Sequence, residues 1–195
     1  MFGIRRMLSA GLDISELPPI SQIGMVVPNL REGVRFYRSF LGIPKWYRTV
    51  ITGSICRYRG QAIDISLDIA VGYSGKTQVE LIEFRGKDEN VYSAHPGEAG
   101  FGFHHFGVVV GDLEKAVRSM RERGFPPLQE GELRYAGGGR TRYAYLDTVD
   151  RAGMILELIE TKAFGINLGM PEWLVGLGRV TGDTRLVAAA GEHKS

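Results

Sequence analysis

The sequence contains two pairs of similar segments, and each segment carries one polar residue that could bind a metal ion. The first pair is SQIGMVVPNL at residues 21–30 and HHFGVVVGDL at residues 104–113. The second pair is VELIE at residues 79–83 and LELIE at residues 156–160. The corresponding polar positions are Gln22, Glu80, His105 and Glu157. The sequence therefore predicts a duplicated chain in which each half supplies one pair of metal ligands.

Strand alternation predicts that these four side chains share one side of a sheet. Successive side chains of a strand point to opposite faces. Each polar residue alternates with apolar neighbours, such as Ile23 beside Gln22 and Phe106 beside His105, and a helix would cover the apolar face. If the sheets of the two halves curl toward each other, the opposite face lines a cleft. Three oxygen ligands and one imidazole suit a divalent ion such as Zn, Ni, Co or Mn.

In each half, one glycine follows the first polar residue on the same face of the strand. Gly24 and Gly107 stand two residues after Gln22 and His105. Two interpretations remain open for them. Either they leave space where a ligand can approach, or they mark strand twist or close packing.

Asp68 is a further candidate for acid or base chemistry. It forms a polar strand face with Asp64 and Ser66, shortly before Glu80. A neighbouring carboxylate would raise its pKa toward a useful value, although an exposed polar face is the alternative. Alternation places His104 on the face opposite His105, so we expect a structural role for it.

The apolar periods predict the order βαβββ twice. The first unit covers residues 20–84, with a helix over 30–41 and later strands over 46–58, 62–73 and 77–84. The second covers residues 103–161, with Asp112 as helix N-cap, a helix over 113–123, and strands over 126–133, 141–146 and 154–159. We expect residues 1–19 to be an N-terminal extension and residues 85–102 a linker. Residues 162–195 are expected to form a C-terminal tail that contains a short helix at 171–175.

Composition limits the class of protein. The chain has 195 residues, 44% of them hydrophobic, and a formal net charge of +2. The sequence has no cluster of basic residues that could bind a phosphate backbone, which argues against a nucleic-acid partner. No stretch reaches the about 20 apolar residues that a membrane helix needs. The single cysteine, Cys56, excludes an internal disulfide and fits a reducing compartment, so we expect a cytoplasmic protein with Cys56 packed in a strand.

Residues 20–161 resemble the vicinal oxygen chelate superfamily, which includes glyoxalase I, methylmalonyl-CoA epimerase, extradiol dioxygenases, and fosfomycin- and bleomycin-resistance proteins. The similar motifs are a strand bearing a ligand, a helix ending at Leu41 and Gly42, and a closing Glu-Leu-Ile-Glu strand. The resemblance implies an α+β fold in which two βαβββ units form a U-shaped mixed sheet around a divalent metal ion. Its ligand positions correspond to Gln22, Glu80, His105 and Glu157.

The resemblance also implies a reaction. In these enzymes the metal polarises a carbonyl, a carboxylate removes the neighbouring proton, and the metal charge stabilises the enolate. Glu157 and Glu80 would flank the reacting carbon. The ligand combination is that of human-type glyoxalase I, whereas the short loops and the helix pattern at residues 113–117 resemble the epimerases. Within the resemblance, Gln22 in place of a first histidine argues against the dioxygenases and the fosfomycin-resistance enzymes, and the bleomycin-binding members lack the metal ligands.

We therefore expect a metal-dependent isomerase, epimerase or lyase, and a homodimer. Its small-molecule substrate would be an acyl thioester such as a 2-substituted acyl-CoA, and lactoylglutathione lyase activity is the first alternative. The second alternative is a non-catalytic protein of the same fold that binds a small apolar ligand. For that protein, Phe164, Trp173 and Leu174 of the tail could line the pocket, although simple packing of the tail is the plainer expectation.

Overall fold

The first half of the chain forms four strands of a sheet, one helix and a small added hairpin. The computed structural model describes residues 17–95, 101–163 and 165–188. The elements of the first half are β1 (Ile20–Val26), α1 (Leu30–Phe40), β2 (Trp46–Ile51), β3 (Ile55–Tyr58), β4 (Gln61–Ala62), β5 (Leu67–Ser74) and β6 (Thr77–Phe84). Helix α1 begins at Asn29, whose side-chain oxygen accepts a hydrogen bond from the backbone N–H of Glu32.

The second half repeats this plan and continues into a C-terminal segment. Its elements are α2 (Val91–Ala94), β7 (Gly102–Val109), α3 (Leu113–Glu122), β8 (Pro127–Arg134), β9 (Gly139–Leu146), α4 (Val149–Ala152) and β10 (Ile155–Ala163). The C-terminal segment contains β11 (Ile166–Asn167), α5 (Glu172–Thr181) and β12 (Arg185–Leu186). The predicted N-cap Asp112 accepts a hydrogen bond from the backbone N–H of Lys115.

The strands of both halves join into one curled mixed sheet. Among the described residues the order is β12-β2-β5-β6-β1-β7-β10-β9-β8-β3-β4, with β11 paired to β10. The pairs β1/β6 and β7/β10 are parallel, and β1 of the first half pairs antiparallel with β7 of the second. The predicted α+β fold with a U-shaped sheet is thus confirmed, and the two ligand-bearing strands meet at its centre.

Helices α1 and α3 cover the outer face of the sheet, as the apolar pattern predicted. Leu30 and Val34 of α1 pack with Val79 and Leu81 of β6, and α3 packs in the same way against β10. The inner face is left to line the cleft. Cys56 is free and buried, as expected. No helix of the described residues has the length and apolar character to cross a membrane.

Several predicted elements differ from the structure; the run 62–73, for example, is a strand only from Leu67 (β5), apart from Ala62 in β4. The run 46–58 is two strands, because the chain turns at Gly53, where φ is +63°, and β3 pairs with β8 of the second half. The linker 85–102 contains α2, a single turn capped by Asn90 that buries Val91 and Tyr92. A helix of one turn is too short to give a period in the sequence.

Candidate metal centre

All four predicted ligands meet at the inner face of the sheet. The Nε2 atom of His105 lies 3.1 Å from Oε2 of Glu157, 3.6 Å from Oε2 of Glu80 and 3.2 Å from Oε1 of Gln22. The ligand atoms of the histidine and the two glutamates lie within 4.8 Å of one another. The His105 side chain is fully buried, and those of Glu157 and Glu80 are 7% and 13% exposed. The duplicated chain therefore brings one pair of polar side chains from each half to one point.

Each half leaves space for the ligand of the other half. In the β1/β7 pair, Gly24 lies opposite His105 and Gly107 lies opposite Gln22. A Cβ atom on Gly24 would lie 1.8 Å from Cε1 of His105, and a Cβ atom on Gly107 would lie 2.6 Å from Oε1 of Gln22. The glycines therefore serve close packing, and what they accommodate is the candidate ligand on the neighbouring strand.

A second histidine orients the first. The Nδ1 atoms of His104 and His105 are 2.8 Å apart, and Nε2 of His104 lies 3.3 Å from the carbonyl oxygen of Val91. The expectation that His104 faces away from His105 is wrong. The β1/β7 register shifts between Gly24 and Met25, and alternation fails at such a bulge.

The partners of His104 determine where the imidazole protons lie. A carbonyl oxygen only accepts, so Nε2 of His104 carries the hydrogen that it donates to Val91. Burial lowers the pKa of both histidines to about 3, and each ring is therefore neutral near pH 7. Neutral His104 then accepts at Nδ1 from the Nδ1–H of His105. This leaves a lone pair on Nε2 of His105, the atom that faces the other ligands.

A chain of hydrogen bonds fixes the amide of Gln22 in the same way. Its Nε2 donates to Oε1 of Gln78 at 2.8 Å, and Nε2 of Gln78 donates to the Tyr73 hydroxyl at 2.6 Å. The Tyr73 hydroxyl donates in turn to the carbonyl oxygen of Met170 at 3.0 Å. Because the amide N–H of Gln22 is used away from the site, its oxygen is presented to His105.

The two carboxyl groups are destabilised as anions when no cation is present. Burial raises the pKa of Glu157 to about 8, partly offset by a hydrogen bond from Tyr145. Burial, followed by the charge of Glu157, raises the pKa of Glu80 well above its ordinary value. Oε2 of Glu157 is buried without a hydrogen-bond partner, because the facing Nε2 of His105 has no proton to donate.

These donor atoms fit a divalent metal ion. When both carboxyl groups are ionised, the lone pairs of one imidazole nitrogen, one amide oxygen and two carboxylates converge with no donor hydrogen among them. Acceptors buried face to face are stable only around a cation or a bound proton. One nitrogen and three oxygen ligands match the preferences of Zn, Ni, Co or Mn. Gln22, Glu80, His105 and Glu157 are the residues that would hold the ion.

Asp68 does not belong to this site, and its predicted catalytic role is wrong. Val71 pairs with Glu80, so Asp68, three residues earlier on β5, faces the opposite side of the sheet. Its carboxylate accepts hydrogen bonds from Nε and Nη2 of Arg48 at 2.6 and 2.5 Å, and from Nη2 of Arg85 at 3.2 Å. Asp68 therefore holds an ion-pair cluster on the outer face.

A cavity of about 410 Å³ lies beside the four residues, between the inner face of the sheet and helix α5. Gln22, Glu80 and Glu157 form part of its wall. Trp173 and Leu174 of α5 also line it, so the tail contributes to the cavity wall. Phe164, the third tail residue considered from the sequence, lies outside the described residues.

Sequence reasoning missed the groups that position the ligands. Gln78 stands two residues before Glu80, so alternation along β6 could have placed it on the ligand face. Tyr145 stands on the inner face of β9, where its hydroxyl lies 3.0 Å from that of Tyr92. Nothing in the sequence of the linker indicates that Tyr92 returns to the site.

Comparisons with known proteins agree with this geometry. A family model described as the glyoxalase/bleomycin resistance protein/dioxygenase superfamily matches residues 21–145. No curated protein sequence matches the chain significantly.

Solved structures show the same fold at low sequence identity. A hypothetical protein from Bacillus halodurans C-125 is 21% identical, with a TM-score of 0.50 over 76% of this chain and 98% of its own. A methylmalonyl-CoA epimerase in complex with methylmalonyl-CoA is 19% identical, with a TM-score of 0.50 over 79% and 100%. A 4-hydroxymandelate synthase mutant from Streptomyces coelicolor is 16% identical, with a TM-score of 0.51 over 86% and 55%. The chain belongs to the glyoxalase/bleomycin resistance protein/dioxygenase superfamily.

Proposed function

We propose that this protein is a metal-dependent isomerase or epimerase that moves a proton on a carbon next to a carbonyl group. The observation that carries the proposal is the convergence of two buried carboxyl groups, one imidazole lone pair and one amide oxygen, which have no donor hydrogen among them once the carboxyl groups are ionised. Such a set binds a divalent ion and also supplies bases beside it. The adjoining cavity gives the substrate access to both.

Glu157 is the proposed base. Its Oε2 has no hydrogen-bond partner, so this atom can accept a proton when the carboxylate is ionised and loosens from the ion. When the C–H bond next to the carbonyl breaks, its electron pair forms the C=C bond of the enolate and the carbonyl π pair moves to oxygen. The proton passes to Glu157. A bound divalent ion would supply positive charge to the developing oxyanion.

Glu80 is the proposed acid that donates a different proton to the enolate, which leaves Glu80 ionised and Glu157 protonated. It stands on β6 of the first half, whereas Glu157 stands on β10 of the second, and both line the cavity. Return of the proton by Glu157 restores the substrate or moves the proton to a neighbouring carbon. Donation of its own proton by Glu80, from the other side, inverts the carbon, which is an epimerisation, and proton exchange with solvent restores both carboxyl groups.

The acyl thioester and the glutathione hemithioacetal expected from the sequence are two substrate classes within this proposal. The epimerase likeness supports the shared fold alone at 19% identity. The reaction therefore rests on the site, and the substrate must be identified by its exchange behaviour.

Proton exchange in heavy water tests the reaction. Protein loaded with Zn, Ni, Co or Mn is incubated with a panel of carbonyl compounds, and deuterium uptake next to the carbonyl is followed by NMR. We expect uptake with the wild type and loss of at least about 100-fold for Glu157→Gln. Glu130→Gln is the matched control, because Glu130 is exposed on β8.

The same samples distinguish catalysis from simple binding. Metal content is measured for each variant, and we expect one ion per chain in the wild type and weaker retention by His105→Ala. Folded, metal-loaded protein that promotes no exchange on any class of carbonyl compound would contradict the proposal and favour a binding protein.

A further inference from the structure

The cavity beside the metal centre is a chamber with an apolar wall and a roof made by the C-terminal segment. Ile69, Val71 and Leu133 line it from the sheet, and Leu174 and Leu177 line it from α5. Its volume of about 410 Å³ lies in the range of small-molecule sites. An apolar wall of this kind selects ligands chiefly by shape and by burial of apolar surface.

The roof is attached to the first half and the second half of the sheet. The Oδ1 atom of Asp183 accepts a hydrogen bond from the backbone N–H of Ala136 at 2.7 Å, on the loop between β8 and β9. The carbonyl oxygen of Asp183 accepts from the Thr49 hydroxyl at 2.8 Å, on β2. Strand β12 then pairs with β2. Helix α5 therefore spans the mouth of the U-shaped sheet.

Within the part of the chain that the structure describes, the chamber wall offers no unpaired cation to an anionic substrate. The charged residues that line it there are Glu80, Glu157, Lys162 and Asp183. The ammonium group of Lys162 donates a hydrogen bond to Glu160 at 2.8 Å on the outer face of β10. The carboxylate of Asp183 accepts the hydrogen bond from Ala136 that holds the roof. A divalent ion at the centre would be balanced by the two glutamates. Burying an unpaired anion here would therefore be costly.

The arginines near the mouth lie outside the chamber wall. Arg48, Arg134 and Arg185 border an adjacent surface pocket and do not line the chamber. Arg48 is ion-paired with Asp68 and Arg134 with Glu132.

We propose that the substrate is a compact, uncharged and largely apolar carbonyl compound that is enclosed beneath α5. This rests on the proposed function for the reaction and adds the substrate class. Coenzyme A esters and glutathione adducts carry several charges, and the described residues that line the chamber offer no unpaired cation to them. The carbonyl end lies at the four polar residues, and the apolar remainder contacts the sheet and the roof.

A pair of fluorescent probes that differ by one charge tests this chamber. N-phenyl-1-naphthylamine is uncharged, and 1-anilinonaphthalene-8-sulfonate adds a sulfonate to the same ring system. We expect zinc-loaded full-length protein to bind the uncharged probe at least about tenfold more tightly. Leu174→Arg places a cation in the chamber and should reverse this order. Val180→Arg is the matched control on the same helix, because Val180 is 86% exposed and should leave the preference unchanged.

Two further variants separate the possible failures. Leu174→Trp fills the chamber without adding charge and should weaken the uncharged probe at least about tenfold, even if Leu174→Arg fails to fold. His105→Ala should abolish exchange and leave probe binding unchanged, because His105 does not line the chamber. Equal or tighter binding of the sulfonate by the wild type would overturn the proposal, as would proton exchange on acyl-CoA or glutathione substrates alone. The second result would leave the proposed reaction intact, whereas absence of exchange with normal probe selectivity would overturn only the reaction.

Discussion

Replacing Gly24 with alanine tests whether the packing between β1 and β7 creates the metal site. The added Cβ atom would lie 1.8 Å from Cε1 of His105 and 2.3 Å from its Nδ1 and Nε2 atoms. Real Cβ contacts are longer than 3.0 Å, so the ring must move by more than 1 Å on geometry alone. The Gly24 backbone has no positive φ, and alanine therefore adds no backbone strain.

The displaced ring must lose its present contacts on both sides. Nδ1 leaves His104, and Nε2 leaves the acceptors that lie 3.1 to 3.6 Å away. Overpacking of a core typically costs about 1–3 kcal/mol. Loss of a single group that only orients a metal ligand weakens affinity about 10–100-fold. Since Gly24→Ala moves the ligand itself, we expect metal affinity to fall by at least about 100-fold.

Titration calorimetry with Zn and the visible spectrum of bound Co measure this effect, and thermal unfolding without metal measures the packing cost. Gly111→Ala is the matched control, because a Cβ atom there meets nothing within 4 Å. Wild-type metal affinity in Gly24→Ala would refute the reasoning, since His105 would then reach the ion from another position or would not be a ligand.

Three further predictions concern the groups around the site. His104→Phe keeps an aromatic ring but removes the acceptor for His105, so metal affinity should fall about 10–100-fold by calorimetry. The raised pKa of Glu157, about 8, means that the metal-free folded state binds more protons than the unfolded state. The two buried histidines give the opposite slope near their ordinary pKa of 6.5, so the free energy of unfolding should decrease from about pH 7 to pH 8, and added metal should remove this slope. Asp68→Asn should lower stability by about 1–3 kcal/mol in urea unfolding and leave proton exchange unchanged.

The four candidate ligands could be predicted from the sequence because two local rules suffice for them. Duplication marks the corresponding positions, and alternation assigns each to a sheet face. Both rules act within a strand, so no knowledge of strand pairing is needed. The same reasoning explains why α1 and α3 were predicted on the other face.

The rest of the site depends on which strands pair and in which register, and neither rule predicts that. The bulge at His104 exists only because β7 is paired with β1, and it brings two consecutive histidines to one side. The role predicted for Asp68 was wrong for a related reason. Asp68 does lie on a strand, but the register of β5 against β6 places it opposite Glu83 on the outer face.

The position of the C-terminal roof also could not be predicted from local sequence patterns. The sequence predicted a short helix at 171–175, and the structure extends it to Thr181. Its position over the chamber depends on long-range contacts, such as the one between Asp183 and Thr49. No periodicity in the tail itself specifies those partners.

The repeated Glu-Leu-Ile-Glu motif shows how one short sequence serves both faces of the sheet. Its first glutamate, Glu80 or Glu157, faces the cleft. Its second lies three residues later, on the outer face, where Glu83 accepts the backbone N–H of Leu30 at 2.8 Å and Glu160 accepts that of Leu113 at 3.2 Å. A carboxylate at a helix N-terminus is favourable there. The second glutamate thus fixes the helix against the strand that carries the first, so each half positions its own ligand while its glycine makes space for the ligand of the other.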